Sequence, residues 1–191
     1  MRIAIDVDGV LAEQVPAALG KIKSRNADVW MNKSDVTEWD ADIPESDTDI
    51  KQLIETELRD PEFVRSMSPV GGATEGMQRL AREGHKLVIV TDRPSPSIGP
   101  TEDWLSSLGV PDDEIISTNG RTKAETRTDV LIDDYPGNVG SFLDNDRYAI
   151  LFSQPWNTGS NITNLNSRAF RAQNWIEVVE TISTLHEMTQ S

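Results

Sequence analysis

The 191-residue chain has no cysteine, which excludes disulfides, thiolate metal sites and a cysteine nucleophile. Its two histidines, His85 and His186, are far apart and fit no metal-ligand spacing. No apolar run approaches the ~20 residues of a membrane span. The opening run, Arg2-Ile3-Ala4-Ile5, is cut by Asp6 and is too short for a signal peptide. A soluble, cytoplasmic protein is expected. Positive charge is also scarce: 18 Lys and Arg face 32 Asp and Glu, a formal net charge of −14. A large duplex nucleic acid is therefore a poor partner. Acidity of this degree reads as a solvated, halophile-like surface of the kind that high salt screens.

Three apolar runs, each ending on polar residues capable of chemistry, stand out against these absences. Arg2-Ile3-Ala4-Ile5 leads into Asp6-Val7-Asp8-Gly9-Val10, Leu87-Val88-Ile89-Val90 into Thr91-Asp92-Arg93, and Val130-Leu131-Ile132 into Asp133-Asp134. Buried parallel strands read as continuous apolar runs, and open parallel sheets bind ligands beyond the carboxyl ends of their strands. If the three strands are neighbours, their carboxylates meet at one edge. Such crowding is unfavourable without a cation, and Mg²⁺, a hard ion that takes oxygen ligands, suits it.

Strands are expected at 2–6, 85–90, 115–116, 130–132 and 148–152. Helices are expected at Ala73–Glu83, Thr101–Leu108, Pro136–Leu143 and from Trp175 to about Met188. The alternation predicts an α/β fold with a Rossmann-like parallel sheet covered on both faces. Residues 12–66 lack a comparable apolar run and read as a small helical cap inserted after the first strand, with 1–11 and 67–191 forming the core domain. Within the insertion, Ile50, Leu53, Ile54 and Leu58 place a helix over Asp47–Arg59, capped by Asp47 or Thr48.

An aspartate at a strand end can attack an electrophile and form an aspartyl phosphate. A second carboxylate two residues on, where the strand gives way to a loop, can reach the leaving group, and Gly9 after it permits the sharp turn. Two carboxylates in one site drive their proton affinities apart, so one serves as nucleophile while the other carries a proton. The Thr91 hydroxyl and the Thr91-Asp92 amides can cradle a phosphate oxygen. Lys123, one of six lysines and set in a polar loop, can neutralise nucleophile and phosphate.

Taken in order, Asp6-Val7-Asp8-Gly9-Val10, Thr91, Lys123 and Asp133-Asp134 resemble the motifs of haloacid dehalogenase superfamily phosphatases across residues 1–152. The resemblance implies that Asp6 is the nucleophile and Asp8 the general acid/base. It implies that Thr91 and Lys123 bind the phosphoryl group. It also implies that Mg²⁺ is held by the Asp6 carboxylate, the Asp8 carbonyl and Asp134, with Asp133 acting directly or through water. A narrower likeness joins Asp8-Gly9-Val10-Leu11-Ala12, Leu131-Ile132-Asp133-Asp134-Tyr135-Pro136 and Leu151-Phe152-Ser153-Gln154-Pro155-Trp156-Asn157 to the 5′(3′)-deoxyribonucleotidases and their prokaryotic relatives. Asp92-Arg93 departs from the Ser-Pro pair of the animal enzymes.

The implied partner is a small phosphorylated metabolite, foremost a nucleoside monophosphate; a homodimer stays open. The alternatives are a sugar-phosphate phosphatase and a non-catalytic phosphate-binding module, which would have no need of Asp8. The cap would choose the substrate. Trp30 and Trp39 are read either as stacking surfaces or as the cap's small core, Arg25 and Lys33 as side chains within reach of phosphate or sugar, and Trp156 as a residue of the site rim.

Overall fold

The computed structural model describes residues 1–190. Six strands, β1 (Arg2–Ile5), β2 (Lys86–Thr91), β3 (Glu114–Ser117), β4 (Val130–Asp133), β5 (Tyr148–Phe152) and β6 (Ala169–Ala172), form one sheet in the order β3-β2-β1-β4-β5-β6. Every pairing is parallel, with Ile5 beside Ile89 on one flank and Ile132 on the other. The chain builds outward from β1 in one direction and then in the other. The crevice between β1 and β4 is therefore the topological switch point at which such sheets bind ligands.

The helices are α1 (Gln14–Arg25), α2 (Ile50–Glu57), α3 (Pro61–Ser66), α4 (Ala73–Arg82), α5 (Ile98–Ser107), α6 (Pro136–Leu143), α7 (Ile162–Leu165) and α8 (Trp175–Gln190). Side chains alternate across the pleat, which divides the core in two. Ile3, Ile5, Leu87, Ile89, Val130 and Ile132 share a cluster with Met77 and Leu80 of α4 and with Trp175, Val178 and Ile182 of α8. Ala4, Val88, Val90, Leu131 and Leu151 face Val139, Phe142 and Leu143 of α6. Residues between β1 and α4 contribute Val15, Leu19, Val36, Ile50, Leu53 and Phe63 to the first cluster, so their apolar side chains continue the sheet's larger face.

Trp175 ties this packing to the loop after β1. Its indole N–H donates to the Val10 carbonyl at 3.0 Å. Its ring lies so close to α4 that a Cβ at Gly76 would sit 2.4 Å from Cε3. A Trp175→Ala cavity in such a site costs about 3–5 kcal/mol.

Three expectations differ in detail. The first helix of the Asp47–Arg59 stretch starts later, at Ile50, because Asp49 is its N-cap, accepting from the Gln52 amide at 2.8 Å. Helix α5 starts at Ile98 rather than Thr101, with Pro100 inside the first turn, where its missing N–H costs nothing. Strand β6 and helix α7 were not expected. Among the described residues no helix is long and apolar enough to cross a membrane.

Candidate active site

The end of β1 supplies Asp6, whose amide still follows the sheet and donates to the Ile132 carbonyl at 3.0 Å. The chain then turns tightly, with the Leu11 and Ala12 amides both on the Val7 carbonyl at 2.8 Å. Gly9 holds a φ of +76° there, and a Cβ on it would lie 2.2 Å from Asp134 Oδ2. Only glycine satisfies both the left-handed backbone and the close approach.

The sheet brings Asp6, Asp133 and Asp134 together, with one carboxylate oxygen from each within 4.8 Å of the others and all three residues buried. Lys123, buried on a 3₁₀ turn (Lys123–Glu125), places Nζ 2.7 Å from Asp6 Oδ1 and 2.8 Å from Asp133 Oδ2. One cation among three carboxylates leaves a surplus of negative charge. Burial, with the Asp133 and Asp8 charges added, pushes Asp6 up to about 8 even though Lys123 opposes the rise. Burial and the same crowding hold Asp134 well above the ordinary carboxylate range, against the hydrogen bond from Trp156. Burial works against the Lys123 charge, but Asp133 and Asp6 outweigh it and hold its pKa up. Two carboxylates that resist ionisation beside a glycine-walled gap fit a divalent cation, which would take up the surplus charge.

Asp133 has less to offer a metal directly. Its Oδ1 accepts from the Tyr135 amide at 2.8 Å, and its Oδ2 from Lys123 and from Asn138 Nδ2 at 3.0 Å. Asp134 is braced by the loop after β5. Trp156 Nε1 donates to Oδ2 at 2.8 Å, and Asn157 Nδ2 bonds the Asp134 carbonyl at 2.7 Å. Gln154 Nε2 reaches the Gly9 carbonyl from the same loop.

Asp8 points elsewhere. Its carboxylate is gripped by Arg93, with Nη2 at 2.6 Å from Oδ1 and Nε at 2.9 Å from Oδ2. Thr91 is fully buried, and its hydroxyl accepts from the Arg93 amide at 3.1 Å. Asp92 lines the cavity with an exposed side chain that accepts from the Thr118 hydroxyl.

A cavity of about 550 Å³ opens over these groups. Asp6, Asp8 and Asp134 lie at its floor, and Trp39, Trp156 and Tyr135 are among its walls. Trp39 rests against Trp156 with ring centroids 5.6 Å apart, so it belongs to the site wall. Trp30 is 61% exposed and lies outside the core. Arg25 is committed to Glu57 and Lys33 to Glu13. Sequence reasoning gave no role to Arg93, Gln154 or Asn138. Arg93 showed only as a departure from a motif, Gln154 only as part of a matched segment with no role of its own, and Asn138 carried no signal.

The fold is of the haloacid dehalogenase type. A haloacid dehalogenase-like hydrolase, SP0104 from Streptococcus pneumoniae, superposes with a TM-score of 0.64 at 11% identity, over 95% of this chain and 97% of that one. A hydrolase of that family from Deinococcus radiodurans, solved with bound phosphate and sodium, gives 0.59 at 15% identity, over 93% and 92%. Within that class, residues 1–188 match the family described as 5′ nucleotidase, deoxy (pyrimidine), cytosolic type C protein, and the chain belongs to it. A Chlorobaculum tepidum protein provisionally named a 5′(3′)-deoxyribonucleotidase is 24% identical, over 94% of this chain and 89% of its own length. A Bacillus subtilis protein provisionally named the nucleotidase YqfW is 23% identical over 94% and 92%. The chain is a phosphatase of nucleotidase type.

Proposed function

We propose that the protein hydrolyses nucleoside 5′-monophosphates, with deoxynucleotides preferred, by way of an aspartyl phosphate on Asp6. The observation that carries this reading is the convergence of Asp6, Lys123 and Asp134 at the β1/β4 switch point beneath a cavity walled by two tryptophans. Asp6 attacks phosphorus in line while Asp8 protonates the departing oxygen; Asp8 then takes a proton from the water that cleaves the acyl phosphate. Two anions 4 Å apart repel by about 4 kcal/mol at an effective dielectric near 20. Lys123 lowers that barrier from a fixed position, and the Thr91-Asp92 segment holds phosphate oxygens through its backbone. Asp6, Asp134 and the Asp8 carbonyl would hold Mg²⁺, with Asp133 serving mainly to fix Lys123; when bound, the ion neutralises the carboxylates and polarises the phosphoryl group. The indoles of Trp39 and Trp156 offer a flat wall for a base.

Asp40, Lys51 and Glu55 form a polar part of the same cavity and favour a second reading, a sugar phosphate held through its hydroxyls. Phosphate release from deoxynucleotides, ribonucleotides and sugar phosphates, with Mg²⁺ and with EDTA, separates the two. Selective release from deoxynucleotides supports the first reading; release from sugar phosphates alone supports the second. An Asp6→Asn variant is expected to lose at least about 10³-fold in kcat. Activity that survives that change would sink the mechanism.

A further inference from the structure

We infer that Arg93 is the positioning residue for Asp8, fixing the carboxylate that serves the leaving oxygen and taking no part in binding the phosphoryl group. The inference rests on the reading of Asp8 given above and adds a residue that the motif order does not assign. Arg93 follows β2, and its side chain is wholly buried while that of Asp8 is 17% exposed. The guanidinium is satisfied on three sides. Nε and Nη2 fork onto the two Asp8 oxygens at 2.9 and 2.6 Å, Nη1 donates to Thr101 Oγ1 at 2.8 Å, and Nη2 also meets Met67 Sδ at 3.2 Å. Thr101 in turn donates to the Ser97 carbonyl at 2.7 Å. A planar fork with its donors engaged in this way fixes a carboxylate in angle as well as distance.

The socket is itself anchored where the segment between β1 and α4 rejoins the sheet. Ser97 Oγ donates to the Leu58 carbonyl at 2.5 Å, and Trp104 Nε1 to the Met67 carbonyl at 2.8 Å. Arg93 is thus held by α5 and by two passes of that segment, and it presents Asp8 to the cavity floor. Each Asp8 oxygen accepts one arm of the fork and keeps lone-pair capacity for a proton in transit. In the step served, the Asp6 carboxylate forms its bond to phosphorus as the ester P–O bond breaks. The departing oxygen keeps that electron pair and takes the proton from Asp8.

An ester whose leaving group is stable as an anion has little need of that proton. Arg93→Lys, Arg93→Ala and Thr101→Val are therefore compared on a nucleoside 5′-monophosphate and on p-nitrophenyl phosphate, after circular dichroism and thermal melting confirm folding. For Arg93→Ala, kcat is expected to fall about 10²-fold or more on the nucleotide, a typical size for lost acid–base catalysis, and less than about 10-fold on the aryl ester. KM should hold within about threefold, and added guanidinium should restore part of the nucleotide rate. Arg93→Lys, which cannot fork, should stay low, and Thr101→Val should show a smaller loss with the same ester preference. Equal losses on both esters without guanidinium rescue, or no loss on either, overturn the inference while leaving the hydrolase reading intact. A wild-type protein that cleaves neither ester overturns that reading and this inference with it.

Discussion

Lys123 and Arg93 are both buried cations, and each stands beside one aspartate of the same Asp6-Val7-Asp8 segment, yet they are held in opposite ways. Lys123 is a point charge shared among Asp6, Asp133 and, at 3.9 Å, Asp92. Arg93 commits two arms to a single carboxylate. The difference matches the tasks proposed for the two aspartates. A nucleophile that must pass from carboxylate to acyl phosphate is better served by a compact point charge that engages one of its oxygens and leaves the other free to attack. A carboxylate that hands over a proton along one direction is better served by a rigid fork.

The largest effect that tests this contrast comes from Lys123→Met. It leaves Asp6 and Asp133 buried without their cation, and breaking such a pair costs about 3–5 kcal/mol, read by chemical denaturation. The rate should fall on aryl and alkyl esters alike, since Lys123 serves attack rather than departure. Arg93→Met should cost less stability, because Asp8 is partly exposed and water can replace its partner. A larger stability loss for Arg93→Met than for Lys123→Met would reverse the comparison.

Next in size is the brace on Asp134. Trp156→Phe keeps the ring contact with Trp39 and removes only the N–H donated to Asp134 Oδ2. Loss of a bond that orients a metal ligand weakens binding by about 10–100-fold. Magnesium titration calorimetry should place this variant near the lower end of that range, because Asn157 still holds the Asp134 main chain. An unchanged affinity would mean that the main-chain brace alone orients the carboxylate.

A third test uses pH. The Asp6 carboxyl is raised in the folded protein to about 8 from 3.8, so the folded state binds its proton more tightly than the unfolded chain. Stability of the metal-free protein from this group is therefore greatest at acid pH and is lost as pH rises towards 8. A cation must displace that proton, so the gain in melting temperature on adding Mg²⁺ should be greater at about pH 8 than at about pH 6. A gain that is flat or falls with pH would show that Asp6 enters the folded state already ionised.

The parts of this site that were legible in the sequence are those written by local rules. Buried parallel strands leave continuous apolar runs, so β1, β2 and β4 stood out, and Asp6, Thr91, Asp133 and Asp134 stood out at their ends. Strand β6 was illegible because Ala169-Phe170-Arg171-Ala172 is short, carries an arginine and lies at the sheet edge. The late start of α2 turned on which of several neighbouring polar residues caps it, a choice made by the Asp49 side chain and the Gln52 amide. Arg93 had no role in the sequence reading, and Trp156 was placed at the site rim without its partner, for another reason. Arg93 finds Asp8 across 85 residues and Trp156 finds Asp134 across 22, and nothing in either local sequence records the partner.

The smallest predicted effect lies at the other end of the sheet, where the carboxylate beside a buried titratable group stands beyond hydrogen-bond distance. His85 precedes β2 and is 5% exposed. Its Nδ1 is 3.3 Å from the N-terminal ammonium, its Nε2 is 3.9 Å from Glu83, and its ring meets that of His186 at 5.1 Å. Burial first, then the ammonium and His186, push its pKa below 6.5, and Glu83 only partly opposes them. The unfolded chain therefore binds the proton more readily, and the folded state loses stability as pH falls through 6.5. Where Lys123 keeps its charge by pairing, His85 meets the same cost by favouring its neutral form. His85→Gln should flatten the stability profile below that pH and leave phosphate release at neutral pH unchanged. If the slope persists in the variant, the acid sensitivity belongs to another group, and the contrast between paired and neutral burial does not extend to this end of the sheet.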